Sequence, residues 1–170
     1  MIKSDAKLKK LSEVFKMNNG KLITEAIELL RDEQPFEGAI GLLVSLYDRT
    51  TEDEILHSIE GFMNDIRDQS AVPEIIAEIR NKWKPETTRM LASSCWQSGL
   101  DYSSYTTELT NVFMISDYAT AIECLTVIGE SAATHSPEKR HKLINLIDNK
   151  IELLNTEMKN LALELKSILS

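Results

Sequence analysis

Apolar side chains recur three and four residues apart from one end of this chain to the other, and strict alternation never lasts more than a few positions. A step of three or four follows the 3.6-residue turn of an α-helix, whereas a half-buried strand needs a period of two. The pattern therefore predicts helices and no strands. Leu8, Leu11 and Phe15 mark a first helix that ends near Asn18-Asn19-Gly20, and Ile23, Ala26, Ile27 and Leu30 line a second. Pro35 is expected to open a third, where its missing N–H costs nothing, with Phe36, Ile40, Leu43 and Tyr47 inward. Thr51-Glu52-Asp53-Glu54 reads as a capping box ahead of Ile55, Ile59, Phe62 and Ile66. Ser70 is expected to cap a fifth helix carrying Val72, Ile75, Ile76 and Ile79, and Pro85 to begin a sixth carrying Leu91, Ala92 and Cys95. Tyr105, Leu109, Val112 and Phe113 belong to a seventh, and Asp117 caps an eighth that buries Ala121, Leu125 and Ile128.

The helices are spaced as a repeat. TEDEILHSIEGFM from position 51, KPETTRMLASSCW from 84 and SDYATAIECLTVI from 116 superimpose with steps of 33 and 32 residues, bringing Ile59, Ala92 and Cys124 together, and Phe62, Cys95 and Val127. A constant step is the mark of stacked units that bury their apolar faces on one another. In AVPEIIAEIRNKWKPETTRMLASSCWQSG a helix near Pro73 is followed by a short turn and a second helix with an early Arg89. Over residues 36–132 this pattern resembles the HEAT and armadillo repeats. The resemblance implies a right-handed α–α superhelix, a solenoid of helical pairs that binds proteins, occasionally nucleic acids, along one surface. The expected organisation is one all-α domain over 1–170: a basic N-terminal helix (1–20), stacked pairs (21–132) and a long amphipathic helix (136–169).

Ser136-Pro137-Glu138 is a strong start for that last helix. Along it Ile144, Ile147, Ile151, Leu154, Met158, Leu161, Leu165 and Ile168 follow one another in steps of three and four, as at the a and d positions of a coiled coil. Leu143, Leu146, Leu153 and Leu169 widen the stripe, so it fits either a cap on the solenoid or a seam for self-association or for a partner helix.

Charge is unevenly placed. Residues 1–21 carry six Lys against Asp5 and Glu13, whereas residues 22–78 carry fourteen acids against three Arg, within a total of −8. An acidic middle opposes binding to phosphate backbones, which rests on Lys and Arg, and makes nucleic acid an unfavoured partner. It forms either a solvated face or a docking surface for a basic partner. No run approaches 18 apolar residues and the N-terminus lacks a secretory pattern, so no membrane segment is expected and the expected location is the cytoplasm. Cys95 and Cys124 are too few for a disulfide framework and are expected as buried thiols.

Two Glu-x-x-His sequences, Glu54 to His57 and Glu138 to His141, have the spacing of carboxylate-bridged metal sites. At 100° per residue, however, Glu54 and His57 lie opposite Ile55, Ile59, Phe62 and Ile66, and the second pair stands among Lys139, Arg140 and Lys142. Neither they nor His135 form a zinc pattern, Cys95 lies on an inner face, and phosphate-loop and nucleophile-elbow motifs are missing. The expectation is a protein that is not an enzyme, with no cofactor and no metal, acting as a scaffold or adaptor for another protein. Nucleic-acid binding, a coiled-coil oligomerisation module and a helical-bundle metal enzyme are the alternatives. On the second helices the positions turned from the core are Glu54, His57 and Asn64, then Glu86, Arg89, Ser93 and Gln97, then Glu123, Thr126 and Glu130. Trp83, between two lysines, is either a plug between repeats or a partner contact, and Trp96 is expected to pack on the next repeat. The partner these positions suit is a peptide or helix, basic or of mixed charge.

Overall fold

Each helix needs acceptors for its first free N–H groups, and where they come from shows how the chain is folded. The computed structural model describes residues 3–17, 19–33 and 35–170; Asn18 of the first expected stop signal lies outside them. Among the described residues there are ten α-helices and no strand: α1 (Asp5–Phe15), α2 (Gly20–Arg31), α3 (Ala39–Arg49), α4 (Asp53–Asn64), α5 (Val72–Ile79), α6 (Pro85–Gln97), α7 (Thr106–Phe113), α8 (Tyr118–Ala132), α9 (Pro137–Asp148) and α10 (Thr156–Leu169). Four starts are capped locally. Asn19 accepts from Leu22 N at 3.2 Å, Asp117 from Thr120 N at 2.8 Å, Ser136 from Lys139 N at 3.2 Å and Asn155 from Met158 N at 2.9 Å.

Two other starts are capped by a different helix. Glu74 on α5 accepts from Gly38 N at 3.2 Å and Gly41 N at 3.1 Å, at the beginning of α3. Asp48 near the end of α3 accepts from Lys84 N at 2.9 Å and from the buried Thr87 hydroxyl at 2.8 Å, at the beginning of α6. Helix ends are tied in the same way, with Arg49 donating to the Phe15 carbonyl and Arg67 to the Ser98 carbonyl.

The chain forms two compact units, residues 1–100 and 101–170. In the first, α1, α3 and α5 lie side by side in one row and α2, α4 and α6 in another, each odd helix also touching the even helix that follows it. Ile27, Leu43, Ile55, Ile59, Ile75 and Leu91 fill the space between the rows, almost wholly buried. Each such side chain contributes about 1.5–3 kcal/mol of burial. In the second unit α7 and α8 pair, α9 and α10 pair, α9 lies beside α7 and α10 beside α8, around Leu109, Phe113, Ile128, Leu143 and Leu165.

The long C-terminal helix expected over 136–169 is corrected. The segment is α9, a 3-10 turn at Ile151–Leu153, and α10. A continuous helix of that length would run about 50 Å, whereas α8 offers about 22 Å of surface, so its second half would leave Met158, Leu161 and Leu165 in water. Folding back buries them against α8 and α9. The expected single seam is therefore not one stripe: Ile147, Met158, Leu161 and Leu165 are buried, Ile144, Ile151 and Leu154 are half-buried, and Ile168 is exposed. Leu143 and Leu169, expected only to widen the stripe, are core residues.

Smaller corrections concern helix starts. Helix α3 begins at Ala39 rather than at Pro35, because Gly38 takes a left-handed backbone (φ 89°) that a helix cannot pass through. A Cβ there would come within 2.9 Å of Leu8, so glycine also permits the close approach of α1. The capping box at Thr51 does not form; Glu52 precedes α4 without a side-chain cap, and its N–H donates to the Thr50 hydroxyl at 3.2 Å. Before α5 the acceptor is Asp68 rather than Ser70, whose own N–H donates to Asp68 at 2.8 Å to open a 3-10 turn.

Candidate functional site

Helix α2 carries two apolar faces. Ile23 and Ile27 turn to the core and are buried, while Leu22 and Leu29, one heptad apart, share an outer face with Glu25. At 65 % exposure Leu29 is among the more exposed large apolar side chains of the first unit, and Leu22 stands at 43 %. Leu29 lies in an open groove whose other lining side chains are polar or charged.

That groove runs between α2 and α4. Glu25, Glu28, Leu29 and Asp32 form one wall and Glu54, His57 and Ser58 the other. Arg31 holds its far end: its Nε lies 3.1 Å from Glu28, and its guanidinium also pairs with Asp65 at the end of α4. Gly61 leaves room for that guanidinium, since a Cβ there would meet Arg31 at 3.0 Å. The one arginine in the groove is thus engaged by two acids of its own fold, and the carboxylates of Glu25, Asp32 and Glu54 set the sign of the surface. His57 donates from Nδ1 to the Asp53 carbonyl at 2.6 Å, which fixes its ring on the α4 wall. Ser58 Oγ is buried in the same wall with no hydrogen-bond partner among the described residues.

The remaining expected positions divide between the units. In the first, Glu86, Arg89 and Gln97 are exposed on α6 and Ser93 is half-buried, with Gln97 donating to the Ser93 hydroxyl at 2.7 Å; Asn64 is half-buried at the end of α4. Arg89 and Glu86 lie near Tyr47, whose hydroxyl donates to Glu60 at 2.6 Å. Burial, and then that hydrogen bond to the Glu60 carboxylate, hold the Tyr47 phenol well above its usual range, so it stays a protonated donor. Trp83 is half-buried and donates from Nε1 to the Glu78 carbonyl at 2.9 Å, closing the turn between α5 and α6. Trp96 stays 38 % exposed at the end of α6. In the second unit Glu123, Thr126 and Glu130 lie on α8, where Thr126 bonds back to the Ile122 carbonyl at 3.1 Å.

Glu54 and His57 are therefore joined to residues of α2 that the reading from sequence passed over: Glu25, Glu28, Leu29 and Asp32. The signal for them was the Leu22–Leu29 pair, which does not fit the inner stripe of Ile23, Ile27 and Leu30. Among the described residues no group of three or more His, Cys, Asp or Glu side chains is placed to hold a metal ion. Cys95 is buried and donates to the Leu91 carbonyl at 3.2 Å, and Glu138 pairs with Lys142 at 3.1 Å. A separate apolar cavity among Leu30, Phe36, Ile40, Phe62 and Ala71 has about 40 Å³, room for little more than a water molecule. Among the described residues no helix is long and apolar enough to cross a membrane. Compared with known proteins, the chain matches no family model, no curated protein and no solved structure.

Proposed function

We propose that this chain is a non-catalytic protein-interaction scaffold or adaptor, built as a right-handed HEAT/armadillo-like stack of helical hairpins whose even-numbered helices present the binding face. The observation that carries this reading is the open groove between α2 and α4, with an exposed leucine between walls of neighbouring even helices. The regular spacing supports it. Helices α2, α4, α6 and α8 are preceded by Asn19, Glu52, Lys84 and Asp117, in steps of 33, 32 and 33 residues. A stack of this kind holds its side chains on rigid helices, so little ordering cost falls on the receptor when a ligand binds. The acid-rich face opposes nucleic acid, whose phosphates carry charge of the same sign.

The test is to pan a displayed library of helical peptides on the full chain and to map the selected ligands with substitutions on the even helices. Ligands weakened by Leu29→Asp, or by exchanges at Glu54, His57, Arg89 or Gln97, support the reading. Ligands indifferent to all of these, or turnover of a substrate that vanishes with one polar side chain, would defeat it.

A further inference from the structure

We infer that a basic amphipathic helix of another protein lies along the outer face of α2 at the mouth of the α2–α4 groove, with apolar side chains seated on Leu29 in the groove and on Leu22 beside it, and Lys or Arg side chains facing Glu25, Asp32 and Glu54. The inference rests on the protein-binding reading above and names the partner's chemistry. Leu22 and Leu29 are seven residues apart, about 10 Å along α2, which is the interval between apolar side chains two turns apart on a partner helix. Between them Glu25 faces the solvent, and among the described residues its one ion-pair partner is the exposed Lys21 at 3.9 Å, an arrangement that leaves the carboxylate open to a better partner. Among the described residues neither Asp32 nor Glu54 forms an ion pair. Arg31 would repel a basic ligand were it not already held by Glu28 and Asp65. An apolar strip beside uncommitted carboxylates is complementary to a helix with the opposite pattern.

The probe is a synthetic helix of about 16 residues, with Leu at every third or fourth position and Lys on the flanks, titrated into the full chain by fluorescence anisotropy. Two controls accompany it: the same helix with Glu in place of Lys, and a scrambled sequence of equal composition that lacks the stripe. The basic helix is expected to bind, and the other two to bind at least about tenfold more weakly. Leu29→Asp should cost about tenfold or more, and the double substitution Glu25→Lys, Glu54→Lys should move preference toward the acidic helix. Affinity should also fall as salt rises from about 50 mM to about 500 mM, as screening shortens the reach of the charges. Both sets of positions are exposed, so a melting curve close to that of the parent chain separates lost binding from lost folding.

Equal binding of basic and acidic helices, with both still weakened by Leu29→Asp, would overturn the inference and leave the protein-binding reading standing. Binding of the basic helix that ignores every groove substitution would overturn the inference too, and if library ligands also ignored the even helices the broader reading would fall with it. A light-scattering mass of two or more copies that returns to one on Leu29→Asp would assign the groove to a second copy and likewise overturn it.

Discussion

His135, in the turn between α8 and α9, is only 7 % exposed, and its Nε2 is buried with no hydrogen-bond partner among the described residues. Burial, then the neighbouring charges of Lys139 and Arg140, hold its pKa below the ordinary value of 6.5, and Asp101 offsets this only in part. A histidine whose folded pKa is depressed favours the fold when neutral. Its contribution is full above pH about 6.5 and is lost as pH falls through the lowered folded value. Thermal melts between pH 7.5 and 5 should show this decline, and His135→Leu should flatten it; a parent chain equally stable across that window would contradict the assignment. Carboxylates that cap from a distance are a second case. Glu74→Ala removes the acceptor for Gly38 and Gly41 and should cost about 1–2 kcal/mol in denaturant unfolding, whereas removal of the exposed Glu37 should cost little. The caps at Asp117 and Ser136 could be read from the chain because each serves an N–H three residues ahead. Glu74 and Asp48 could not, since the groups they serve are 33 to 39 positions away.

Among the elements, the C-terminal pair best shows how a periodic pattern can be right in its parts and wrong in its continuity. Steps of three and four run unbroken from Ile144 to Ile168, yet Asn155 adopts the extended backbone of an N-cap and starts a new helix. Because Leu165 is buried between α10 and its neighbours in the same chain, Leu165→Ala should destabilise the protein by about 2–4 kcal/mol, and the melting temperature should not depend on protein concentration. A concentration-dependent melt would place that side chain in an intermolecular seam instead. Asn155→Ala should cost about 1 kcal/mol, a loss that a continuous helix would turn into a gain, because alanine is the better interior residue. The outer face of α2 was legible in principle, since Leu22 and Leu29 stand off its inner stripe. What period alone does not disclose is that α4 lies beside that helix and turns Leu29 and the acids next to it into one wall of a groove.

At the scale of the whole molecule, the helices of each unit touch chiefly their neighbours in the row and in the pair. The loss of one core side chain is felt first by the helices packed against it. Ile59→Ala on α4 should therefore raise hydrogen exchange most in α2, α3 and α6, the helices it touches, and least in α9 and α10; uniform loss of protection would show that the chain responds as one cooperative block. The sequence by itself determined that the chain is helical, nearly every inner face, and the step of about 33 residues, because helix periodicity and local caps act within a few positions of one another. Only the tertiary structure decided that the last segment folds back, that Glu74 and Asp48 cap helices of other pairs, and that Glu25, Leu29, Asp32, Glu54 and His57 share one groove. Those outcomes depend on which helix lies beside which, a matter settled by how the apolar surfaces can be buried together over distances that no local pattern spans.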